Sequence, residues 1–474
     1  MQTANRPRPV GLRVSLREQR TLLLIGDAFV SIIALFGGLY FWGQKDAWLK
    51  FSLSFLQQRV EFWFYLLPLV WMVLLVELYD PHRARNLRTT VAGVSLAALT
   101  GLFLYALVYL ISPKGSLPRL GIGIFLAIVS ILTLIWRLVF IQIFTAQAFL
   151  RRVLVIGAGS AGETIARVFN GLRPQPFFLV GFMDDDPGKV GKQIEGFPVL
   201  AGNDRLLEIV EEKAISEIVI AITGEMKGGT FQTLLDAQES GVDITPMPVM
   251  YEELMGRVPI HHLESEWLIR SFVNDARVSG FYELSKRLLD ILASLAGLSI
   301  CILLFPFTAF LIIMDSGFPI LYSQVRSGRS GRLYNIYKFR TMIQNAEKDG
   351  IVQVTRKNDN RITRIGMLLR RAHIDELPQF WNVLRGDMSI VGPRAERPEL
   401  IQEFQKLIPL YRARLLVAPG ITGWAQINFG YPDTTAQTIV KLEYDLYYIK
   451  HRSFLMDILI ILRTVTQVIG FRGR

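Results

Sequence analysis

Hydrophobic residues are concentrated in four long runs within the first third of the chain. The runs cover roughly 21–42, 61–79, 91–112 and 121–146. Each run is long enough to cross about 30 Å of hydrocarbon as a helix. A soluble core can bury one such helix, but four in succession are typical of a membrane protein. The pattern therefore predicts a four-helix transmembrane bundle over residues 1–150.

Lysine and arginine are distributed unevenly over the segments that connect these runs. Several arginines precede the first run, fill the second connection and follow the fourth run, whereas the first and third connections hold fewer basic residues. Because cytoplasmic loops are enriched in lysine and arginine, both ends of the bundle are predicted to be cytoplasmic. Asp27 and Arg137 lie inside predicted spans, where an isolated charge is costly, so we expect them to pair with each other.

From residue 151 the pattern changes to short apolar strands that alternate with amphipathic helices. A strand at 152–156 runs into a glycine-rich turn and a helix, and a second strand at 178–183 ends in acidic residues. This order predicts a Rossmann-like α/β domain over residues 151–270. The candidate nucleotide-binding residues are those of the turn and the first acid, namely Gly157, Gly159, Gly162 and Asp184.

The ligand of this middle domain is left open by the sequence. Glycines allow a backbone to approach a diphosphate, and a helix N-terminus favours its charge, so a nucleotide or nucleotide-sugar is one interpretation. The fold also needs close-packed glycines when it binds nothing, and that interpretation has equal weight. No tyrosine–lysine pair at helical spacing and no second glycine fingerprint follow in the sequence, which argues against a dehydrogenase or a dehydratase.

A fifth apolar run, residues 286–314, opens the last third of the chain and contains Pro306. A proline inside a helix removes a hydrogen bond and bends the axis, so Pro306 is the predicted break in this membrane helix. Basic residues flank both ends of the run, which predicts that both ends lie on the cytoplasmic side. The run is therefore interpreted as a re-entrant helix within a mixed α/β catalytic domain over residues 271–474.

Candidate chemistry in the last third centres on the adjacent acids Asp375 and Glu376. Asp375 is predicted to be a helix N-cap, and adjacent acids taken alone are most often solvent-facing caps. A carboxylate that attacks an anionic diphosphate needs the charge neutralised, and Lys338, Arg370 and Arg394 are candidates for that role. A Mg²⁺ ion bound by Asp375, with Glu376 as a second ligand, would act in the same way.

Composition agrees with a membrane protein that handles phosphates. The mean hydropathy of the 474 residues is +0.33, and the formal net charge is +11. A basic and apolar chain indicates anionic lipids or phosphate-bearing partners, whereas no aromatic-interleaved signature of nucleic-acid binding is present. A single cysteine excludes a disulfide within the chain, and the histidines lack metal-ligand spacing.

Four motifs follow one another in the last third of the chain. They are YKFRTM at 337–342, DELPQFWNVLRGDMSIVGPR at 375–394, PGITGWAQIN at 419–428 and YDLYYIKHRSFLMDILIILRT at 444–464. On these motifs, the chain from about residue 281 to 474 resembles the bacterial polyprenyl-phosphate hexose-1-phosphate transferases, which are phosphoglycosyl transferases with a monotopic catalytic domain. The N-terminal bundle and the middle domain look like those of the large members.

The resemblance implies a role for each matching residue. Asp375 matches the family nucleophile and Glu376 its partner in the catalytic dyad. Other residues implicated in substrate binding are Lys338, Arg370, Arg394 and Asp457, with Asp445 as a competitor for the last position. The family usually has serine or threonine where this chain has His373, and serine where it has Phe305.

The resemblance also implies a reaction and a location. Asp375 would attack a UDP-sugar and release UMP, and undecaprenyl phosphate would then accept the sugar phosphate from the aspartyl intermediate with the help of Mg²⁺. The product would initiate exopolysaccharide, capsule or O-antigen assembly at the cytoplasmic face of the bacterial inner membrane. Membrane-anchored dehydratases and nucleotide sensors are the competing classes. The hexose and the oligomeric state are left open, with a homodimer as our expectation and no nucleic-acid partner.

Overall fold

The fold is given by a computed structural model that describes residues 16–79, 81–111, 118–145, 150–224, 226, 228–263, 278–344, 346, 359–408, 410–430, 432 and 434–469. Contacts between Cα atoms divide the chain into two units, Met1–Leu254 and Met255–Arg474. The division falls before residue 270, the predicted end of the middle domain. Val258 and Ile260 are buried in the core of the second unit, and residues 264–277 lie outside the described residues.

Helices form the N-terminal part of the first unit, as the hydrophobic runs predict. They are α1 (Leu16–Lys45), α2 (Leu53–Gln58), α3 (Leu67–Leu74), α4 (Pro81–Ala84), α5 (Leu87–Ile111) and α6 (Arg119–Thr145). Helices α1, α5 and α6 are long and apolar enough to cross a membrane. The predicted apolar helices at 21–42, 91–112 and 121–146 are therefore confirmed within the described residues, which end at 111 and 145 for the last two.

The prediction of one continuous helix over residues 61–79 is wrong. This segment forms a 3₁₀ turn at Phe62–Leu66, the short helix α3 and a second 3₁₀ turn at Val76–Tyr79. Pro68 lies in the first turn of α3, where its missing N–H is tolerated but cannot continue a helix from the preceding residues. The apolar stretch Phe62–Leu74 is about 20 Å long as a helix. The number of crossings and the orientation of the bundle stay predictions.

The charged residues inside the bundle pair as expected. Arg137 Nη2 lies 2.5 Å from Asp27 Oδ2, and both side chains are fully buried. Arg137 also donates a hydrogen bond from Nη1 to the carbonyl of Leu78 at 2.8 Å. A buried charge without a partner is strongly destabilising, so this pair supports the packing of α1 against α6.

A six-stranded sheet forms the rest of the first unit. Its strands are β1 (Arg152–Ile156), β2 (Phe178–Met183), β3 (Gln193–Ile194), β4 (Phe197–Ala201), β5 (Glu217–Ile220) and β6 (Asp243–Pro246). Its helices are α7 (Ser160–Gly171), α8 (Leu206–Glu212), α9 (Gly228–Glu239) and α10 (Met247–Met255). The strand order is β3-β4-β2-β1-β5-β6, and only the β3–β4 pair is antiparallel. The predicted Rossmann-like fold is confirmed.

The second unit combines helices with two small sheets, which confirms a mixed α/β domain. Its helices are α11 (Gly280–Ser316), α12 (Arg364–Arg371), α13 (Gln379–Arg385), α14 (Pro398–Leu407), α15 (Trp424–Asn428), α16 (Thr435–His451) and α17 (Phe454–Ile469). Its strands are β7 (Leu321–Ser327), β8 (Leu333–Phe339), β9 (Ser389–Val391) and β10 (Gly420–Thr422). Strands β7 and β8 form an antiparallel hairpin, and β9 pairs with β10 in parallel.

The N-terminal end of α11 is attached to the second unit by polar contacts. Arg287 donates hydrogen bonds to the carbonyls of Val383 at 2.9 Å and Leu384 at 2.7 Å. Asp290 is buried and accepts a hydrogen bond from the N–H of Ile390 at 2.9 Å. These contacts join α11 to the end of α13 and to strand β9.

The C-terminal end of α11 is attached to the same unit. Asp315 accepts a hydrogen bond from the N–H of Ile365 at 3.0 Å, and Arg340 donates one to the carbonyl of Ser316 at 2.8 Å. The opposite face of the helix carries side chains that are more than half exposed, among them Phe281, Leu288, Leu295, Leu303 and Phe310. One face of α11 is therefore packed on the domain along its length, and the other is apolar and uncovered.

The helical hydrogen-bonding pattern of α11 continues through Pro306, and a bend of the helix axis at this residue stays a prediction. The helix runs as one α-helix of 37 residues through Pro306, which is about 55 Å. The ring of the preceding residue, Phe305, packs against Phe339 with 5.6 Å between ring centroids. Packing on this side supports the helix where the proline removes a hydrogen bond. A re-entrant path stays a prediction.

Candidate active site

Asp375 and Glu376, the acidic dyad, lie in a single 3₁₀ turn between α12 and α13. His373 adopts a left-handed backbone with φ of 54° and precedes the turn, which spans Ile374–Glu376. The predicted role of Asp375 as a helix N-cap is wrong, because α13 starts only at Gln379, after Pro378. An N-cap has non-helical dihedrals, whereas Asp375 lies inside the turn.

Apolar neighbours fix the orientation of this turn. Ile374 and Leu377, on either side of the dyad, pack into a small core that includes Cys301 and Ile312 of α11 and Phe339 of β8. The two apolar side chains that flank the dyad thus point into the core. The acids between them face away from this core, and Glu376 contacts the cations Lys338 and Arg394.

Glu376 accepts two charged hydrogen bonds on one oxygen. Its Oε1 lies 2.8 Å from Lys338 Nζ and 3.2 Å from Arg394 Nη2. Burial alone would raise the pKa of Glu376, but the charges of Lys338 and Arg394 outweigh it and hold the pKa well below its ordinary value. Glu376 is therefore ionised at neutral pH and engaged by cations from β8 and from the segment after β9.

Asp375 has the opposite character. Its side chain is only 7% exposed, and among the described residues its carboxylate accepts no hydrogen bond. Burial and the negative charge of Glu376 raise the pKa of Asp375 to about 6, against the opposing charges of Lys338, Arg370 and His373. Environments that separate the pKa values of two neighbouring acids also separate their chemical roles. Asp375 has the free oxygen atoms that a nucleophile requires.

Arg370 completes the group of cations near the dyad. It lies in the last turn of α12 and donates from Nε to Thr341 Oγ1 at 2.8 Å. Its charge acts on Asp375. The structure thus brings together five of the predicted site residues, namely Asp375, Glu376, Lys338, Arg370 and Arg394.

Asp457, the sixth predicted site residue of this domain, belongs to a different cluster. It is fully buried and accepts hydrogen bonds from Tyr282 at 3.0 Å, Tyr448 at 2.8 Å and Lys286 at 3.0 Å. Lys286 and Tyr448 also donate to the carbonyl of Val391. The cluster supports β9, whose chain continues to Arg394.

Asp445, the alternative to Asp457, lies in a second buried cluster around Arg414. Arg414 Nη2 lies 3.0 Å from Asp445 Oδ2 and donates to the carbonyl of Arg394 at 3.0 Å. Glu396 joins the cluster through Arg414 at 3.4 Å and Lys441 at 2.6 Å. Sequence reasoning missed this positioning role of Arg414, and the spacing of these residues along the chain gives no signal for it.

The dyad is suited to a metal ion that is bound mainly by substrate phosphates. Among the described residues, no group of three or more histidine, cysteine, aspartate or glutamate side chains could hold a metal ion. Mg²⁺ usually takes one or two carboxylates together with phosphate oxygens and water. Asp375 offers both carboxylate oxygens for this, and Glu376 offers Oε2, because Lys338 and Arg394 both donate to its Oε1.

Close backbone packing explains why glycine is needed at two of the three glycine positions in the turn of the middle domain. Gly157 has φ of 105°, and a Cβ there would lie 2.6 Å from the carbonyl oxygen of Ala221. A Cβ on Gly162 would overlap the carbonyl oxygen of Gly157, whereas Gly159 faces open space. Asp184 accepts a hydrogen bond from the N–H of Ala158 at 2.7 Å. Nucleotide binding at these residues stays a prediction.

Two protein families match this chain. Residues 281–471 match the family described as Bacterial sugar transferase. Residues 75–248 match the family described as CoA-binding domain, a range that begins within the predicted bundle. The dyad and its three cations all lie within the first of these matches.

Similar proteins cover most of the chain. A UDP-glucose:undecaprenyl-phosphate glucose-1-phosphate transferase of Xanthomonas campestris pv. campestris is 30% identical over 417 residues, which are 84% of each chain. The protein of the same name from Escherichia coli (strain K12) is 34% identical over 66% of this chain and 67% of its own length.

A third relative, from Aeromonas hydrophila, is similar over a shorter range. It is named UDP-N-acetylgalactosamine-undecaprenyl-phosphate N-acetylgalactosaminephosphotransferase and is 42% identical over 224 residues. The match spans 47% of this chain and about half, 52%, of that relative's length. The names of these three relatives agree in the lipid acceptor and differ in the sugar.

Proposed function

Because the chain belongs to the bacterial sugar transferase family, we propose that it transfers a hexose 1-phosphate from a UDP-sugar to undecaprenyl phosphate. It is a membrane protein and a transferase. The products would be UMP and an undecaprenyl-diphosphate sugar, the first lipid-linked intermediate of a surface polysaccharide. The observation that carries this proposal is the dyad, in which a free carboxylate adjoins an ionised carboxylate held by cations.

In the first step, an oxygen of Asp375 attacks the sugar-bearing phosphorus. A bond forms between that oxygen and phosphorus, and the bond from phosphorus to the bridging oxygen breaks. The bridging oxygen leaves with its electron pair as part of UMP, and an aspartyl phosphosugar remains. Dividing one difficult transfer into two easier ones is the general advantage of covalent catalysis.

In the second step, an oxygen of undecaprenyl phosphate attacks the same phosphorus. The bond between phosphorus and Asp375 breaks, the electron pair returns to the carboxylate, and the diphosphate product is formed. Charge accumulates on phosphoryl oxygens in both steps. Preorganised cations stabilise such charge more than water does, and Lys338, Arg370 and Arg394 lie where they can do so.

A Mg²⁺ ion would be held by Asp375, with Glu376 as a second ligand, together with the diphosphate of the donor. When bound, it would neutralise phosphate charge and so allow an anionic carboxylate to approach an anionic substrate. The carboxylate oxygens of Asp375, which accept no hydrogen bond from the described residues, support this proposal.

The placement of α11 supports a catalytic domain on one side of the membrane. Both ends of this helix, at Arg287 and at Ser316, are hydrogen-bonded to the same domain. A helix that crossed about 30 Å of hydrocarbon would carry its two ends to opposite sides. An in-plane or re-entrant path keeps both ends at one surface, which for access to UDP-sugars is the cytoplasmic face of the inner membrane.

A panel of radiolabelled UDP-sugars tests the proposed function. Purified full-length protein in nanodiscs with undecaprenyl phosphate receives UDP-glucose, UDP-galactose or UDP-N-acetylgalactosamine, with Mg²⁺ or with EDTA. We expect one donor to give labelled lipid and UMP in equal amounts, only with Mg²⁺ and not with the Asp375→Asn variant. Absence of labelled lipid with every donor, while the protein remains folded, would reject the proposal.

A further inference from the structure

A pocket lined by cations opens beside the dyad. Its lining includes Arg326 of β7, Lys338 of β8, Gln379 of α13 and Arg394, and none of its lining residues is acidic. The pocket encloses about 270 Å³, including the part that is open to solvent. Lys338 and Arg394 are the two residues that bind Glu376, so the pocket adjoins the reacting groups directly.

Two of the residues that line this pocket each have one buried nitrogen without a hydrogen-bond partner among the described residues. Arg326 donates from Nη1 to the carbonyl of Ala395 at 3.2 Å and from Nη2 to Gln324 Oε1 at 2.7 Å. Its Nε has no hydrogen-bond partner among the described residues. Gln379 is 3% exposed, and its Nε2 is likewise unpaired within the described chain. A buried donor left unpaired is destabilising, so an acceptor from a ligand is expected here.

The charge around Arg326 points to an anion. Burial lowers the pKa of Arg326, the charge of Glu396 raises it, and the charges of Arg394 and Arg397 lower it again. With two arginines and one carboxylate acting on it, this guanidinium gains stability from a further anion. Arginine also matches the geometry of phosphate oxygens with its planar array of donors.

The location of the pocket distinguishes between two phosphates that could occupy it. None of its lining residues belongs to α11, the helix whose uncovered face is apolar. The lining comes instead from β7, β8, α13, β10 and the segments next to β9. A lipid phosphate would approach along the apolar face, so a water-soluble nucleotide is the better match.

We infer that Arg326 and Gln379 bind the phosphate of the donor that remains with the nucleoside, an inference that rests on the proposed function. When Asp375 displaces this group, the bridging oxygen takes the electron pair of the broken bond, and the nucleoside monophosphate gains one negative charge. Arg326 and Gln379 donate to its oxygens, and Lys338 and Arg394 lie between this phosphate and the dyad.

Binding of UMP to the full-length Asp375→Asn protein in nanodiscs tests the inference without turnover. Added to that background, Arg326→Gln should raise the Kd of UMP by about tenfold or more, the range expected for a hydrogen bond to a charged group. Gln379→Met should also raise it by about tenfold, because its amide donates to a charged phosphate oxygen. Arg326→Lys should recover part of the affinity, because the charge remains.

Arg332→Gln is the matched control, since Arg332 is exposed in the turn next to β8 and should leave the Kd of UMP unchanged. Thermal melting of every variant checks that the fold is retained. The inference would be overturned if the folded Arg326→Gln variant bound UMP as tightly as the Asp375→Asn parent. It would also be overturned if UMP bound to neither protein. Arg326→Gln made in the active protein supplies the comparison with the lipid. A higher KM for undecaprenyl phosphate there, with an unchanged Kd for UMP in the Asp375→Asn background, would assign the pocket to the lipid and also overturn the inference.

The transfer assay of the unmodified protein keeps the two proposals apart. Active transfer together with UMP binding that does not depend on Arg326 would reject only this inference. No transfer with any UDP-sugar, together with UMP binding that does depend on Arg326, would reject the proposed function and keep the nucleotide phosphate site.

Discussion

At the scale of single residues, the two acids of the dyad differ because their neighbours differ. Glu376 shares one oxygen between Lys338 and Arg394, which fixes its charge and its position. Asp375 adjoins that charge, is buried and has a raised pKa. A carboxylate with a higher pKa is a better nucleophile once ionised, and the charges of Lys338 and Arg370 limit the rise by favouring the ionised form.

Replacement of Glu376 tests this division of roles. In Glu376→Gln the oxygen no longer carries a charge, so Lys338 and Arg394 lose the partner that positions them. We expect UMP release to slow by about 100-fold or more, the range found when a preorganised electrostatic group is removed. Glu403→Gln on the exposed side of α14 is the control. UMP release from Glu376→Gln at the rate of the unmodified enzyme would contradict the assignment.

Glu396 offers a test of stability with a defined pH dependence. Burial would raise its pKa, but Lys441 and Arg414 lower the pKa from an ordinary 4.5 to about 2. Its stabilising contribution is therefore present above the ordinary value and is lost as the pH falls towards about 2. Glu396→Gln should cost about 3 kcal/mol at neutral pH, because it leaves the buried Lys441 without its carboxylate partner, whereas Arg414 keeps Asp445.

Thermal melting of purified protein measures this effect. The difference in Tm between the unmodified chain and Glu396→Gln should be largest at neutral pH and should shrink below pH 4. Glu399→Gln, an exposed residue of α14, should show no such difference. A gap in Tm that stays constant down to pH 3 would contradict the role assigned to Glu396.

Single residues also show where prediction from sequence ends. The motif around Asp375 predicts the dyad and its three cations, because those residues recur in recognisable segments. Asp457 follows from the same resemblance, yet its carboxylate is used by Tyr282, Tyr448 and Lys286. Lys286 lies 171 residues before Asp457 in the chain. A local sequence pattern cannot predict a contact between residues so far apart.

At the scale of elements, the contact between α11 and α13 sets the position of the dyad turn. Gly297 of α11 faces the ring of Phe380, and a Cβ at Gly297 would lie 2.5 Å from that ring. The close approach brings α11 next to the start of α13, only a few residues after Asp375. The sequence alone does not predict that Gly297 lies against the ring of Phe380.

Gly297→Val tests whether this approach is required. The added methyl groups must displace Phe380 or separate the helices, which should cost about 1–3 kcal/mol as for other overpacked cores and lower the transfer rate. Ala296→Val, one residue earlier on the exposed face of the same helix, is the matched control. Equal Tm and equal activity of the two variants would show that the contact does not position the site.

Hydropathy predicts elements well where one apolar run forms one helix, and poorly where it does not. The predicted helices at 21–42, 91–112 and 121–146 are confirmed, but the run at 61–79 contains a short helix between two 3₁₀ turns. Hydropathy measures the preference for lipid and carries no information on backbone hydrogen bonds. The β3–β4 hairpin was also not predicted, because strands as short as Gln193–Ile194 show no alternation.

At the scale of the whole molecule, the resemblance to bacterial sugar transferases is confirmed by similarity over most of the chain. The Rossmann-like fold of the middle domain is confirmed as well, whereas its ligand stays a prediction. Gly157 and Gly162 are required by backbone packing alone, so their presence does not distinguish a nucleotide site from an empty scaffold. No redox chemistry is needed for the proposed reaction.

Cysteine labelling tests the predicted path of α11. In a Cys301→Ser background, Ser330→Cys places a thiol in the exposed turn between β7 and β8. Because both ends of α11 are bonded to one domain, we expect an impermeant reagent to label it only after the inner membrane is permeabilised. Trp48→Cys, in the exposed connection after α1, should react in intact spheroplasts. Labelling of Ser330→Cys in intact spheroplasts would show a true crossing.

The covalent intermediate on Asp375 is the most direct test of the central claim. Full-length protein is mixed with the preferred UDP-sugar and Mg²⁺ in the absence of undecaprenyl phosphate, quenched, digested and analysed by mass spectrometry. We predict that the peptide containing Asp375 carries a hexose phosphate, that an equal amount of UMP is released, and that addition of undecaprenyl phosphate removes the label. An unmodified Asp375 peptide together with UMP release that persists in the Asp375→Asn variant would contradict the account.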